Sequence, residues 1–321
     1  MYHVKKYLEN LERKRAYLDR KLKKNSLLLD RNEKFIPLNS KLKKKLTKKL
    51  NKINLGLYPD IASFYVKMSK WLGLPKENIF LTEGVSGAIK NIIECYAIPG
   101  KSNIIFPYPT FAMYSVYCKM FNLEQRKITY SKDYKLNFKL LLKSINKKTA
   151  IVFLPNPNIP IEGMLGKNQI IKLLKKCSKL KVILAIDEVY YPFGNYTSLN
   201  LIKKFKNLLI MRSFSKAFGL ASIRLGYILG NKKNIEYVSK IRTGYESNSF
   251  SLEVASFFMN HEKEIYTYIK EVKYGFKYFK NKLDKFKVEY NGGNHGCFIY
   301  VKLKSKKFAT HIIKQLKKRN I

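Results

Sequence analysis

From residue 78 onward, short apolar runs alternate with stretches of helical periodicity. The runs are "NIFLT", "SNIIFP", "AIVFLP", "VILAID", "NLLIMRS" and "GYILG". Such alternation predicts an α/β fold with a largely parallel sheet. After residue 230 the pattern turns mainly helical to about residue 284. It then gives two strand-like runs, "KFKVEY" and "CFIYVKL", around the turn "NGGNHG", and a last helix, "KKFATHIIKQLKKR". Upstream, residues 1–25 read as a charged helix with an apolar stripe of Val4, Leu8, Leu11, Leu18 and Leu22. "LLLDRNEKFIPL" reads as a short extended segment ending at Pro37, and "SKLKKKLTKKLNKI" as a surface helix with a solvated lysine face. The organisation expected is an N-terminal arm over residues 1–50 that helps complete a small domain, a large domain over 51–230, and a small α+β domain over 231–321.

Bulk composition narrows the class. A chain of 321 residues with 46% hydrophobic and 27% charged residues is that of a soluble globular protein. No apolar run approaches the length that spans a bilayer, and "MYHVKKYLENLERKRAYLDRKLKK" lacks the apolar segment of a secretory signal. The four cysteines, Cys95, Cys118, Cys177 and Cys297, are far apart and form no CxxC pair. Neither a metal site nor a disulfide framework is expected, and a reducing cytoplasm fits. The net charge of +42 invites a nucleic-acid reading. However, only 9 of the 64 basic residues are Arg, and the lysines run the whole length instead of forming one stripe. Abundant Asn, Ile, Phe and Tyr beside them point to compositional drift. Specific nucleic-acid recognition is not expected, whereas weak, salt-sensitive adhesion to polyanions is.

In a parallel sheet, ligands gather at the carboxyl ends of the strands, so the residues after each run are the candidates. "EGVSGAIKNII" follows the first run. Ser86 there can cap a helix, and the free N–H groups at that helix end, including those of Val85 and Ser86, can hold an anion. "YPTFAMY" follows the second; Phe111 can be a core aromatic or stack on a flat ring. "NPNIPIEG" follows the third, where Asn156 and Asn158 can form turns or donate to a ligand oxygen. "DEVYYPFG" brings Asp187 at a strand end, costly unless paired, so it caps its own loop or meets a positive partner such as a protonated ring nitrogen. "RSFSKAFGLASIRLGY" sets Lys216 between Ser213 and Ser215, with Arg224 eight residues on. A lysine in an apolar or cationic setting has a lowered pKa and attacks carbonyls, and an arginine with two hydroxyls suits a phosphate. Together these parts meet the needs of pyridoxal phosphate.

On these residues the chain resembles the class I/II aminotransferases of the fold type I pyridoxal-phosphate enzymes, and within them the histidinol-phosphate aminotransferase branch. "SFSKAFGLASIRLGY" is similar to the family's S-x-S-K-x-x-G-L-A-G-x-R-x-G-Y, with Ser222 replacing a Gly. "NPNIPIEG" is similar to N-P-N-x-P-T-G and "DEVYYPF" to D-E-A-Y-x-x-F. "YPTFAMY", "LTEGVSGAI", "LLLDRNEKFIP" and "YPD" match further segments. The resemblance implies a three-layer αβα large domain with a smaller α+β domain, and pyridoxal 5′-phosphate as cofactor. It implies Lys216 as the Schiff-base anchor and proton shuttle, and Asp187 as partner of the pyridinium N–H. Asn158, with Tyr190 beside it, would bind the ring hydroxyl, and Phe111 would stack on the ring. Val85, Ser86, Ser213, Ser215 and Arg224 would hold the phosphate. Tyr58 would reach the phosphate of a neighbouring subunit, which implies a homodimer. An amino donor and a 2-oxo acid acceptor are the implied partners.

The pattern departs from the family in two places. "NPNIPIEG" carries one residue more and lacks the Thr-Gly pair. In the family, a segment like "LKKRNI" is followed by a V-R pair, then a strand with another Arg, and those arginines grip the substrate's acid groups. The chain ends at Ile321, so a shortened C-terminal domain is expected, with Arg212 structural. The function expected is transamination of a small phosphorylated amino compound. The alternatives are decarboxylation of a phospho-amino acid with the same cofactor, and a non-catalytic relative.

Overall fold

A computed structural model of the chain describes residues 4–9, 11–13, 26–194 and 196–321. Leu18 and Leu22 of the expected N-terminal stripe lie outside them; the described part of that stretch contains one helical turn, α1 (Lys6–Glu9). Helices α2 (Ser40–Leu50) and α3 (Ile61–Leu72) precede the sheet. There follow β1 (Ile79–Thr82), α4 (Gly84–Tyr96), β2 (Asn103–Tyr108), α5 (Met113–Met120), β3 (Glu124–Thr129) and α6 (Phe138–Ser144). Next come β4 (Thr149–Pro155), α7 (Lys167–Lys179), β5 (Ile183–Asp187), β6 (Leu208–Ser213) and β7 (Gly226–Gly230). The chain continues through α8 (Lys232–Ser239), α9 (Ser249–Met259), α10 (Glu262–Lys285), a hairpin of β8 (Tyr290–Gly292) and β9 (Ile299–Val301), and α11 (Lys306–Lys318). Among the described residues no helix is long and apolar enough to cross a membrane.

Seven strands form one sheet in the order β1-β7-β6-β5-β4-β2-β3. Its β3-β2-β4-β5-β6 part is parallel, and β7 runs antiparallel between β6 and β1. The apolar runs are continuous because both faces are covered. Alternate residues enter two cores: Ile105, Val152, Leu154, Leu184 and Ile186 pack in one. Ile104, Phe106, Ile151, Phe153 and Ala185 pack in the other, with α4 and α5. Asp187 continues the register of Ile183 and Ala185, which places it beside the second core. The parallel register leaves Tyr108, Pro155, Asp187 and Ser213 together at the carboxyl edge.

Two elements differ from the periodicity reading. β3 is an edge strand with only Ile128 buried, so "EQRKIT" carries no apolar run. "KFKVEY" contributes a strand only from Tyr290, because α10 extends to Lys285 and its end consumes the next residues. The N–H groups of Lys287 and Val288 fold back onto the carbonyls of Asp284 and Leu283, with Lys287 at φ 52° in the left-handed region.

Candidate active site

The anion-binding corner is built by close backbone packing. Gly84 turns off β1 at φ 64°, and Gly226 of β7 lies against it: a Cβ on Gly226 would come 2.7 Å from the Gly84 carbonyl carbon. The side chain of Arg224 fills the space over Gly84, with Nη2 3.0 Å from where a Cβ would sit. Arg224 itself has φ 51°, and its Nη1 donates to the Ala221 carbonyl at 3.1 Å. α4 starts at Gly84 with Glu83 in the cap position and no side-chain cap bond. Ser86 is therefore not the cap but a residue of the first turn, because Gly84 makes the turn immediately after β1. The free N–H groups of that turn and the guanidinium share a cavity of about 560 Å3 lined by Glu83, Ser86, Tyr117, Arg224 and Tyr245. Val85 is buried in the adjoining core. Tyr58 is 79% exposed and stacks on Tyr245, with ring centroids 4.6 Å apart.

Ser213 and Ser215 face each other, with Oγ atoms 2.9 Å apart, and the Ser213 Oγ accepts the Ser215 N–H at 3.0 Å. Ser213 also donates to the carbonyl of Leu225, next to Arg224, at 3.3 Å. Lys216 follows directly. Its Nζ donates to the carbonyls of Arg31 at 2.6 Å and Asn32 at 3.3 Å. Burial lowers its pKa; the Cys297 thiol and Glu33 oppose that shift, and Arg224 adds to it. Asn32 also donates its side-chain N–H to the Tyr190 hydroxyl at 2.9 Å. Tyr190 is buried, which raises its pKa.

Asp187 is 3% exposed. Its Oδ2 accepts the Tyr114 hydroxyl at 2.7 Å, and its Oδ1 accepts the Val189 N–H at 3.0 Å. Burial pushes its carboxyl up to about 6, against these two hydrogen bonds. The neighbouring Glu188 is spoken for: it pairs with Arg212 at 2.9 Å inside the protein, with the guanidinium 3.9 Å from the Tyr191 ring. Phe111, 38% exposed, stands edge-on to Tyr114 with centroids 6.2 Å apart.

Without a ligand, the Asn158 amide is engaged within its own loop and its neighbour. Its amide hydrogens go to the carbonyls of Pro109 and Ile161, both at 3.0 Å, and the side chain is fully buried with Oδ1 unpartnered. The cause is the tight proline-rich loop, whose carbonyls need donors that proline cannot supply. Asn156 is equally committed, exchanging hydrogen bonds with the Leu165 backbone at 2.8 and 3.3 Å. Three residues that motif reading passed over shape the site: Tyr114, Asn32 and Glu162. The Glu162 carboxylate accepts the backbone N–H groups of Asn294, His295 and Gly296 at 2.8–3.1 Å and so ties the proline-rich loop to the hairpin that carries Cys297 and Phe298.

The model of the family "Aminotransferase class I and II" matches residues 5–319. The chain belongs to that family. Histidinol-phosphate aminotransferase of Caldanaerobacter subterraneus is 29% identical over 230 residues, covering 71% of this chain and 64% of the relative. The namesake from Ruminiclostridium cellulolyticum is 32% identical over 245 residues, covering 74% and 67%. The chain thus spans just under two thirds of the length of the first relatives it matches. Among solved structures, histidinol-phosphate aminotransferase from Sinorhizobium meliloti in complex with pyridoxal-5′-phosphate superposes with a TM-score of 0.80 at 16% identity, covering 90% of this chain and 79% of that one. Aspartate aminotransferase from Thermotoga maritima gives 0.81 at 19%, covering 97% and 89%. At these identities the likeness establishes the αβα aminotransferase fold, which agrees with the sheet described above.

Proposed function

We propose that this chain is an aminotransferase that uses pyridoxal 5′-phosphate to pass an amino group between a small phosphorylated amino compound and a 2-oxo acid. It works as a homodimer in the cytoplasm. One observation carries the reading: a single sheet edge gathers a half-buried lysine, a buried carboxylate with no cation paired to it among the described residues, and a glycine-backed arginine with two serines. The residues fit the cofactor. Asp187 is costly where it stands and becomes favourable once a positive ring nitrogen meets it. The Gly84–Gly226 approach leaves the anion corner open to a phosphate held by Arg224, Ser213, Ser215 and the N–H groups of Val85 and Ser86.

When bound, the cofactor supplies an electron sink for the substrate Cα that no side chain provides. The chain's own groups do the rest. Asp187 holds a proton at the ring nitrogen. Lys216, whose burial favours the neutral amine, anchors the cofactor through Nζ and moves the proton at the substrate Cα. To do so it gives up its contacts to the Arg31 and Asn32 carbonyls. Phe111 would cover the ring, and Asn158, with Tyr190 beside it, would bind the ring hydroxyl; to do so the Asn158 amide gives up a contact to the Pro109 or Ile161 carbonyl. Tyr58, exposed together with Leu55 and Leu57, reaches the phosphate position of the second subunit. Residues 51–230 serve as the large domain, and 231–321 with 1–50 as the small one. The substrate class is supported by the name that the relatives share.

The deciding experiment is the visible absorption spectrum of the purified protein, with and without borohydride, beside Lys216→Ala. A yellow protein that borohydride bleaches, leaving the cofactor covalently fixed on Lys216, with neither colour nor fixation in the variant, is the expected result. A donor screen with a 2-oxo acid acceptor then assigns the substrate. A colourless protein that pyridoxal phosphate cannot load overturns the reading.

A further inference from the structure

A carboxylate that must pair with a cationic ring nitrogen has to be ionised and correctly turned before the cation arrives. Full burial works against both. Among the described residues, four polar groups act on the Asp187 carboxylate. Val189 supplies a backbone N–H from the following loop. Glu188 is adjacent but neutralised by Arg212. The Tyr190 hydroxyl is engaged with Asn32. The fourth is the Tyr114 hydroxyl, which reaches across from α5 to Oδ2 at 2.7 Å and is the one side-chain donor to Asp187 among the described residues.

Tyr114 is itself held rigidly. It is fully buried, with its ring centroid 5.0 Å from that of Phe153 and 5.8 Å from that of Phe106. Its edge meets Phe111. The hydroxyl therefore cannot swing away to solvent, and Asp187 Oδ2 is its partner. A hydrogen bond to a charged acceptor in such a setting is about twice as strong as one between neutral groups.

We propose that Tyr114 is a positioning residue: its hydroxyl fixes Asp187 and keeps it ionised for the cationic ring nitrogen of the cofactor. The identity of that cation rests on the aminotransferase reading; the coupling of Tyr114 to Asp187 does not. The direction of the titration agrees, since the Tyr114 hydrogen bond opposes the upward pull of burial on the Asp187 carboxyl. The same contact, with burial the larger cause, raises the Tyr114 phenol well above its ordinary range. Tyr114 thus keeps its proton, and stays a donor, across the range in which Asp187 titrates.

Tyr114→Phe keeps the ring and removes the donor. Thermal unfolding of the ligand-free variant and wild type is followed from pH 5 to 8. The expected result is a gap in melting temperature that widens as pH rises, because the lost hydrogen bond matters only where Asp187 is ionised. In the Asp187→Asn background the gap is independent of pH. Cofactor affinity at neutral pH falls about tenfold, the loss expected from weakening one charged contact, and the pH titration of the bound cofactor's absorption shifts. A gap constant with pH overturns the proposal and leaves Tyr114 a packing residue. A pH-dependent gap in a protein that never takes up pyridoxal phosphate supports the coupling and defeats the cofactor reading. Should Tyr114→Phe not fold alone, folding of Tyr114→Phe/Asp187→Asn supports the pairing, and failure of both overturns it.

Discussion

The guanidinium of Arg224 occupies the volume that a side chain on Gly84 would need, with Nη2 3.0 Å from the position of a Cβ. Gly84 also holds φ 64°, where an L-residue costs about 1–2 kcal/mol. Gly84→Ala should lower the melting temperature by a few degrees and shift the Arg224 guanidinium at the anion corner. The more telling readout is affinity for pyridoxal phosphate, titrated by absorbance with inorganic phosphate as competitor. We expect both ligands to weaken by about tenfold, the worth of one charge-assisted contact. Unchanged affinity in a destabilised protein would show that Arg224 does not depend on this glycine.

Asp187 gives a pH signature with a definite sign. Its carboxyl sits at about 6 in the folded protein, above the ordinary 3.8. The folded state therefore takes up the proton first. The stability this supplies is fully present below the ordinary carboxylate range and is lost as pH rises through 6. Asp187→Asn removes that dependence. The stability of the variant relative to ligand-free wild type should climb by about 1.4 kcal/mol between pH 5 and 7.5. Denaturant unfolding at several pH values measures it. A flat difference would mean that Asp187 does not titrate in this window.

The parts of this molecule that sequence patterns disclose are those whose partners are close in the chain or repeat in kind. Strands buried on both faces are visible as apolar runs, and the residues after them mark the carboxyl edge. β3 escapes because an edge strand needs only Ile128 inside. The lysine segment is legible because Ser213, Ser215, Lys216 and Arg224 lie within twelve residues. Tyr114, Asn32 and Glu162 are not, since their partners Asp187, Tyr190 and His295 stand 73, 158 and 133 positions away. The local partners of Asn158 are equally invisible in its motif: the amide donates to the carbonyls of Pro109 and Ile161, which only the folded loop brings to it.

The buried pair of Glu188 and Arg212 is a scaffold, and its removal should be asymmetric. Glu188 accepts from Arg212, from the Ser198 N–H at 2.7 Å and from the Thr197 hydroxyl at 2.8 Å. Glu188→Gln leaves a buried guanidinium without its countercharge, at a cost of about 3–5 kcal/mol. Arg212→Met strands the carboxylate in turn. The double variant should be clearly more stable than the sum of the two losses, because each single change leaves an unpaired charge. Additive losses by denaturant unfolding would refute the pairing as the source of the effect.

Glu162 binds the hairpin to the proline-rich loop through its carboxylate and through its own N–H, which donates to Asn291 Oδ1 at 2.6 Å. Cys297 directly follows the tied residues and lies against the Asn32 carbonyl, Sγ to O 3.7 Å. Burial pushes its thiol up to about 11, which slows alkylation. Glu162→Ala removes the acceptor from three successive N–H groups and frees the hairpin at its turn. The local cost is about 1–3 kcal/mol, with the seven-stranded sheet intact. Cys297 should then react several-fold faster with a small alkylating reagent, as followed by mass spectrometry. Cys118 and Cys177, fully buried in the sheet cores, should not change. If all three thiols accelerate together, the variant has loosened globally. If none does, the hairpin is held by Phe298 on Tyr190, centroids 5.1 Å apart, and Glu162 is dispensable to it.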